Sequence, residues 1–556
     1  MKIEGGLKSG SNLFHSFEEF SIPEGMEASF ENSLEIENIF TRVTGDSAST
    51  INGTLSAQGG ANLFLMNPNG IVFGQDASIN IGGSFIATTA DSVQFADSTE
   101  FAATSTEDPT PLLTNEIPIG LGFGSDSNSG PITVNGEGNQ IGSEDVSEPT
   151  EIETSFNGLQ VDSGEKLILI GDNVNLNGGI VISEGGTIEI GSVQNGFVGI
   201  TEDLETNYDN VDSFGTVQLE DQSLINATNT SEGAITINSA DLFLNDGSKI
   251  LLQNNNDTPS GDIDINVSDS VVLDGKGLSN KVGSGIQAQT TGSGQAGNIN
   301  LNTQTVVLKD GSRISSNTYS DGLGGNIAIN ASDSIEIIED TQNLINASTY
   351  DSGNAGSVNL STNDLIITDG GGVSSSTLGA GQGGNLNVEA KNVEIIGDLS
   401  EPDDLSAISA VSFSPDGDAG TITVNTDTLK IADGGAVSTT SLGDGAAGNI
   451  TVNASDSIEI IGQTESFPST ISSSVIDRAE ALGITNPNGS AGSVEVNTSS
   501  LSIAQGGEVT VGNEGTGSSG TLSINADEVN LDDNGSITAA SASGQGGNIE
   551  LQVSKL

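Results

Sequence analysis

The chain has 556 residues, with 13 basic against 76 acidic side chains and a formal net charge of −63. Hydrophobic residues make up 34% and charged residues only 16%, so the shortfall from the usual ~45–50% apolar content is filled by Gly, Ser, Asn and Thr. Thirteen scattered cations exclude a nucleic-acid or anionic-membrane binder. One histidine and no cysteine exclude thiol catalysis, disulfide frameworks and Cys/His zinc sites. No run of ~18 apolar residues is present, so no helix spans a membrane. Met1-Lys2-Ile3-Glu4-Gly5-Gly6 has no apolar core of the kind a signal peptide needs.

Residues 1–150 carry the heavier core, since 11 of the 17 phenylalanines lie between Phe14 and Phe123. Three phrases stand out there: Asn12-Leu13-Phe14-His15-Ser16-Phe17, then Asn62-Leu63-Phe64-Leu65-Met66-Asn67-Pro68-Asn69-Gly70-Ile71-Val72-Phe73-Gly74, then Gly82-Gly83-Ser84-Phe85-Ile86-Ala87-Thr88-Thr89-Ala90. Together with Pro118-Ile119-Gly120-Leu121-Gly122-Phe123-Gly124, they resemble the secretion (haemagglutination activity) domain of filamentous-haemagglutinin-like two-partner secretion exoproteins, cyanobacterial branch. Asn-Pro-Asn-Gly alone is an ordinary turn, with Pro fixing φ and Asn-Gly supplying left-handed positions. Asn486-Pro487-Asn488-Gly489 repeats it without the flanking strands and is read as a coincidence.

The resemblance implies a parallel β-helix exported through a dedicated outer-membrane barrel of the two-partner secretion type. It implies an extracellular or outer-surface location in a Gram-negative bacterium, and places Asn67, Pro68, Asn69 and Gly70 in the secretion motif. Members begin with a signal peptide and several strands before the Asn-Leu-Phe-His-Ser-Phe phrase. Here about ten residues precede Asn12, so the domain reads as N-terminally truncated, with an unpaired apolar end.

Residues 151–230 read as a continuation of the β-helix, and 231–556 as a repetitive shaft. A phrase of Gly, a small or polar residue, then alternating apolar and polar residues recurs at Gly233, Gly261, Gly297, Gly325, Gly356, Gly384, Gly420, Gly448, Gly492, Gly520 and Gly547. A 28-residue unit alternates with one of 27 to 44 residues. Period-two runs bounded by Gly, Asn and Asp are the mark of half-buried strands. Three short strands per unit cannot bury their inner faces alone, but coils stacked one on another can. The expected fold is all-β: a right-handed, pectin-lyase-like parallel β-helix with Ile, Val and Leu inside and Asn, Ser, Thr and Asp outside. At roughly 28 residues per coil the chain makes about twenty coils and a rod on the order of 100 Å long. The longest units insert loops after the second strand, at Gly275 to Gly285, Gly397 to Leu405, and Gln463 to Pro468 with additions to Gly489. One or two helical turns are expected at Ile476 to Leu482.

No catalytic residue, metal site or cofactor is expected. His15 lies between aromatics and reads as packed. A lyase of β-helical type needs a strong base and cations, whereas Lys249, Lys276, Lys281, Lys309, Arg313, Lys391, Lys430, Arg478 and Lys555 form no cluster, and a surface this acidic repels uronate polymers. Asp246, Asp310, Asp369 and Asp433 precede the second glycine in four of the five fixed units; turn chemistry explains them better than shared calcium. The resulting expectation is a secreted or cell-surface exoprotein, adhesin-like, that contacts neighbouring cells, matrix or glycans. The alternatives are a passive filament or spacer, a haemolysin or toxin-carrier stalk, which needs a C-terminal module not seen here, and, last, a polysaccharide-degrading enzyme.

Overall fold

A computed structural model of the chain describes all residues except 105–113, 125–128, 140, 142–147, 151–156, 229–232, 276–282, 339–342, 402–403, 415, 478–486 and 543–545. The described residues form strands and turns, with no helix. Long parallel sheets stack coil on coil, and one continuous apolar column of Ile, Val, Leu and Ala runs from Ile3 to Val529. This is a parallel β-helix. The expected helical turn at 476–482 lies mostly outside the described residues.

Each shaft coil has three strand segments, the first two fused into one bent strand except in the coils that begin at Val358 and Leu386. In the coil of Ile263–Leu273 and Gly285–Thr290, Ile263 and Ile265 point inward on the first face and Val271 and Leu273 on the second. Ile286 and Ala288 line the third face. The recurring glycine has a steric cause. Each stacks directly on the glycine one coil below, so a Cβ at Gly325 would overlap the carbonyl oxygen of Gly297, and one at Gly356 that of Gly325.

Four strands of one sheet (Lys2–Ile3 to Ser78–Asn80) and thirteen of another (Leu159–Gln160 to Ser536–Ser541) follow one another on the third face. Among the described residues this makes seventeen layers, fewer than the twenty expected, because the N-terminal part diverts chain into a cover outside the rod. Ser92–Phe95, Glu100–Ala102, Pro118–Phe123, the end of Thr187–Ile200 and Thr206–Phe214 pair antiparallel. They bury Phe14, Phe40, Phe64, Ile86, Ile168 and Ile170 on the outer side of the first face. Strands covered on both sides read as unbroken apolar runs, as in Leu63-Phe64-Leu65-Met66 and Leu167-Ile168-Leu169-Ile170.

Three expectations need correction. The N-terminal end is not wholly an unpaired edge, because Leu7–Ser9 folds back antiparallel on Asn12–Phe14. Ser and Thr are not confined to the outside. Thr290, Thr318, Thr349, Thr377 and Ser441 are fully buried, each donating its hydroxyl to a glycine carbonyl four residues on, as Thr318 does to Gly322 at 2.8 Å. The column closes a corner whose carbonyls would otherwise be buried without partners. Nor do the insertions share one corner. Those after Leu273, Ile396 and Ile461 lie between the second and third faces, whereas the stretch from Ile476 to Gly489 lies after the third. Parts of all three lie outside the described residues.

The Asp-Gly pairs are two-residue left-handed turns: φ is +54° at Asp369 and +80° at Gly370, and Gly371 N donates to Thr368 O at 2.9 Å. Among the described residues no group of three or more His, Cys, Asp or Glu is placed to hold a metal. The Asp246 carboxyl is raised by burial and then by Asp221, Glu220 and Asp274.

Candidate functional site

The three phrases singled out in the sequence occupy the first, third and fourth of four consecutive layers of one face. Asn12–Phe17, Asn38–Val43, Asn62–Met66 and Phe85–Thr88 pair in parallel, setting Asn12 beside Asn38 beside Asn62, and Phe14 beside Phe40 beside Phe64 beside Ile86. The asparagines form a ladder: Asn62 Nδ2 donates to Asn38 Oδ1 at 3.1 Å, Asn38 Nδ2 to Asn12 Oδ1 at 3.3 Å, and Ser84 N to Asn62 Oδ1 at 2.9 Å. Asn12 Nδ2 reaches the Glu116 carbonyl at 2.9 Å and so ties the cover to the first layer. Phe14 and Phe40 stack at 5.2 Å, Phe40 and Phe64 lie 4.6 Å apart, and Phe95 and Phe101 meet Phe14 edge-on. The second layer was missed in the sequence. Its signal is Asn, an apolar residue and Phe at 12, 38 and 62.

Leu13 is in the inner column. His15 is buried, 5.1 Å from Phe30 and 6.0 Å from Phe17, with Nε2 unpaired and its pKa lowered by burial. Ser16 is exposed and accepts from Arg42 Nε at 3.1 Å, and Phe17 packs half-buried on the column. Arg42 also lies 4.5 Å over the Phe101 ring and donates to the Ala102 carbonyl, a cation–π tether the sequence did not reveal.

Asn67-Pro68-Asn69-Gly70 turns the chain from the first face to the second, with Gly70 N donating to Asn67 O at 3.1 Å. Asn67 is fully buried. Its Nδ2 donates to Ser47 O at 3.0 Å and Ser49 Oγ at 2.9 Å, and its Oδ1 accepts from Asn69 N at 3.0 Å. One coil above, Gly130 N donates to Pro68 O at 2.7 Å. Gly70 has φ +108°, and a Cβ there would press on Pro131 O at 3.0 Å. Only Asn69 is exposed, and its amide donates to Gly45 O at 2.7 Å. The turn is therefore sandwiched between layers, with three of its four residues sealed. The second Asn-Pro-Asn-Gly starts outside the described residues and lies at a different corner.

A second polar group sits beneath the cover. Glu189 is buried and accepts from Tyr208 OH at 2.6 Å and Asn238 Nδ2 at 3.2 Å. Burial pushes its carboxyl up to about 7, and the Tyr208 phenol is raised by the same burial and by Glu189. A cavity of about 120 Å³ adjoins it, with the Lys166–Glu205 ion pair at its rim. Asn139, Ile141 and Thr150 also contact the rod from outside. Asn139 Nδ2 donates to Gln222 O at 2.7 Å, Ile141 packs on Ile180, Ile182, Leu224 and Leu251, and Thr150 N donates to Gln289 Oε1 at 3.3 Å.

Aligned Asn-apolar-Phe layers on the first face, a sealed Asn-Pro-Asn-Gly corner and an antiparallel cover set this part of the β-helix apart from the shaft. Residues 1–237 match the TPS secretion domain. Segments of 86 and 78 residues are 38% and 41% identical to heme/hemopexin-binding proteins of Haemophilus influenzae, the second from strain ATCC 51907 / DSM 11121 / KW20 / Rd. They cover 15% and 14% of this chain but only 9% and 8% of those proteins. The solved HMW1 secretion domain of Haemophilus influenzae aligns over 99% of this chain and 95% of its own, at 16% identity and a TM-score of 0.23.

Proposed function

We propose that the chain is a non-enzymatic two-partner secretion exoprotein. Its N-terminal domain engages an outer-membrane barrel transporter, and its shaft from about residue 231 stands outside the cell as an adhesin-like filament. The observation that carries the reading is the match of residues 1–237 to the TPS secretion domain. A two-part division supports it: apolar packing on both sides of the first face in that domain, and polar outer positions such as Asn300 and Asn302 in the shaft. Asn67, Pro68 and Gly70 are sealed in the folded domain, so a transporter reads this motif in the chain before the corner closes. Heme binding is not carried over from the matched proteins, because the single histidine is packed between Phe17 and Phe30.

The test is co-expression of the chain, preceded by a secretory signal, with and without a two-partner secretion barrel. Protease-accessible protein at the surface or in the medium that depends on the barrel supports the reading. Equal release without it refutes export by this route. The adhesin part is tested separately, by binding of the exported shaft to cells and glycan arrays.

A further inference from the structure

The residue that follows the third-face strand occupies one column along the shaft. Its register is fixed by backbone bonds from each such residue to the coil below: Tyr319 N to Thr290 O, Tyr350 N to Thr318 O, Leu378 N to Thr349 O, Phe413 N to Thr377 O, Leu442 N to Ser412 O and Ile476 N to Ser441 O. Side chains alternate along the strand, and the preceding residue (Thr318, Thr349, Thr377, Ser412, Ser441 or Val475) is buried and points inward, so these six point outward. Leu378 and Phe413 are 40% and 41% exposed, and the other four are half-buried. Tyr319 and Tyr350 stack at 4.8 Å. Of the five aromatic residues after residue 231, three stand in this column. Thr291 precedes the stripe and Glu514 follows it, so an apolar strip about 25 Å long lies on an otherwise acidic rod.

The two flanks differ. On the strand side the outward positions Ser374, Ser376, Ser409, Ser438, Thr440 and Ser472 carry no charge. On the corner side, one or two residues beyond the stripe, stand Asp321, Asp351, Asp444 and Asp477.

We infer that this stripe is a lateral self-association surface, on which a second copy of the chain packs antiparallel. A two-fold axis across the rods sets Tyr319 against Ile476, Tyr350 against Leu442 and Leu378 against Phe413 of the second copy. Each contact then joins an aromatic to an aliphatic side chain, so the stripe is complementary to its own reverse. The same axis lays the hydroxyl flank on its counterpart and the acidic flank on its counterpart. Two rods of charge −63 have this strip as their approach, and the facing aspartates oppose it until salt screens them. A strip of that length and about 15 Å width covers roughly 400 Å² per copy, below the ~800 Å² per side of a stable dimer, so the pairing is weak and reversible.

Sedimentation velocity of the full chain over a concentration series, at about 20 mM and 500 mM NaCl, tests it. The expected result is a monomer–dimer equilibrium that tightens about tenfold with salt. Leu378→Ser with Phe413→Ser weakens it at least about tenfold, and Leu399→Ser, exposed but off the stripe, leaves it unchanged. Because the chain has no cysteine, Leu378→Cys and Phe413→Cys chains, once mixed, form the hetero-disulfide in preference to either homodimer. A monomer at every salt and concentration overturns the inference, including one that binds glycans or vesicles through the stripe. So does a dimer indifferent to the double substitution, or one that cross-links Leu378→Cys to itself.

Discussion

Replacing Asn67 by Ala separates a sealed corner from an exposed recognition loop. The side chain supplies two donors, to Ser47 O and Ser49 Oγ, and one acceptor, to Asn69 N. Removing it strands buried groups of the neighbouring coil, at about 1–3 kcal/mol for each group left without a partner. Partial rescue by water at the Asn69 edge brings the total to roughly 2–4 kcal/mol. A long solenoid does not unfold in one step, so a single midpoint blurs the effect. Amide exchange resolved over residues 45–71 reads it locally, and the cost converts to exchange faster by about 30- to 1000-fold there. Asn69→Ala loses chiefly one bond, to Gly45 O, and costs about 1 kcal/mol or less. If Asn67→Ala leaves protection within about threefold of the parent, or if Asn69→Ala has the larger effect, the sealed-corner reasoning is wrong.

Glu189 gives a pH prediction. Its folded-state value is raised from 4.5 to about 7, so the folded chain keeps a proton that the unfolded chain releases. The contribution is full below about pH 4.5, falls as pH rises to about 7 and is level above, losing about 3 kcal/mol in all. Exchange in residues 187–214 should show that slope in the parent and lose it in Glu189→Gln; equal slopes would refute it. Gly325→Ala forces a methyl group onto the Gly297 carbonyl and should cost about 1–3 kcal/mol, read as faster exchange in the coils on either side. Thr318→Val removes the bond to Gly322 O and should cost about 1–2 kcal/mol at that corner. Phe64→Ala, in the middle of the aromatic stack, should cost about 3–5 kcal/mol and loosen the cover before the shaft, which proteolysis of residues 92–123 would show.

The shaft was legible because each layer repeats the same local instruction. Glycines at fixed spacing, Asp-Gly turns and period-two strands led directly to coils, and the first-face strands start at Ile299, Ile327 and Val358 where the spacing put them. What escaped was everything that breaks periodicity. The inward Thr290 and Thr318 look like surface residues by composition, and only the corner carbonyls explain their burial. The cover of Ser92–Phe95 and Pro118–Phe123 has no repeat to announce it, and its partners Phe14, Phe40 and Phe64 were read as a heavier core rather than a second apolar face. The Asn-Pro-Asn-Gly turn was recognised, yet its enclosure depends on Ser47, Ser49 and Gly130, which lie 18 residues or more away in sequence on one side and about 60 on the other.

The detour of chain into the cover has a kinetic consequence. In the shaft a new layer pairs with one about 28 residues back, as Ile327 does with Ile299. Under the cover, Leu167 must find Phe85, roughly 80 residues earlier. Loop-closure entropy makes that single step costlier by about 1 kcal/mol, before any entropy of ordering the detour itself. Every later coil meets a finished template and a short loop, so its addition is local and fast. The rod is thus expected to grow from a slow nucleus located at Phe85 and Leu167, and the rate at which a newly released chain becomes protease-resistant is set there rather than by the length of the shaft.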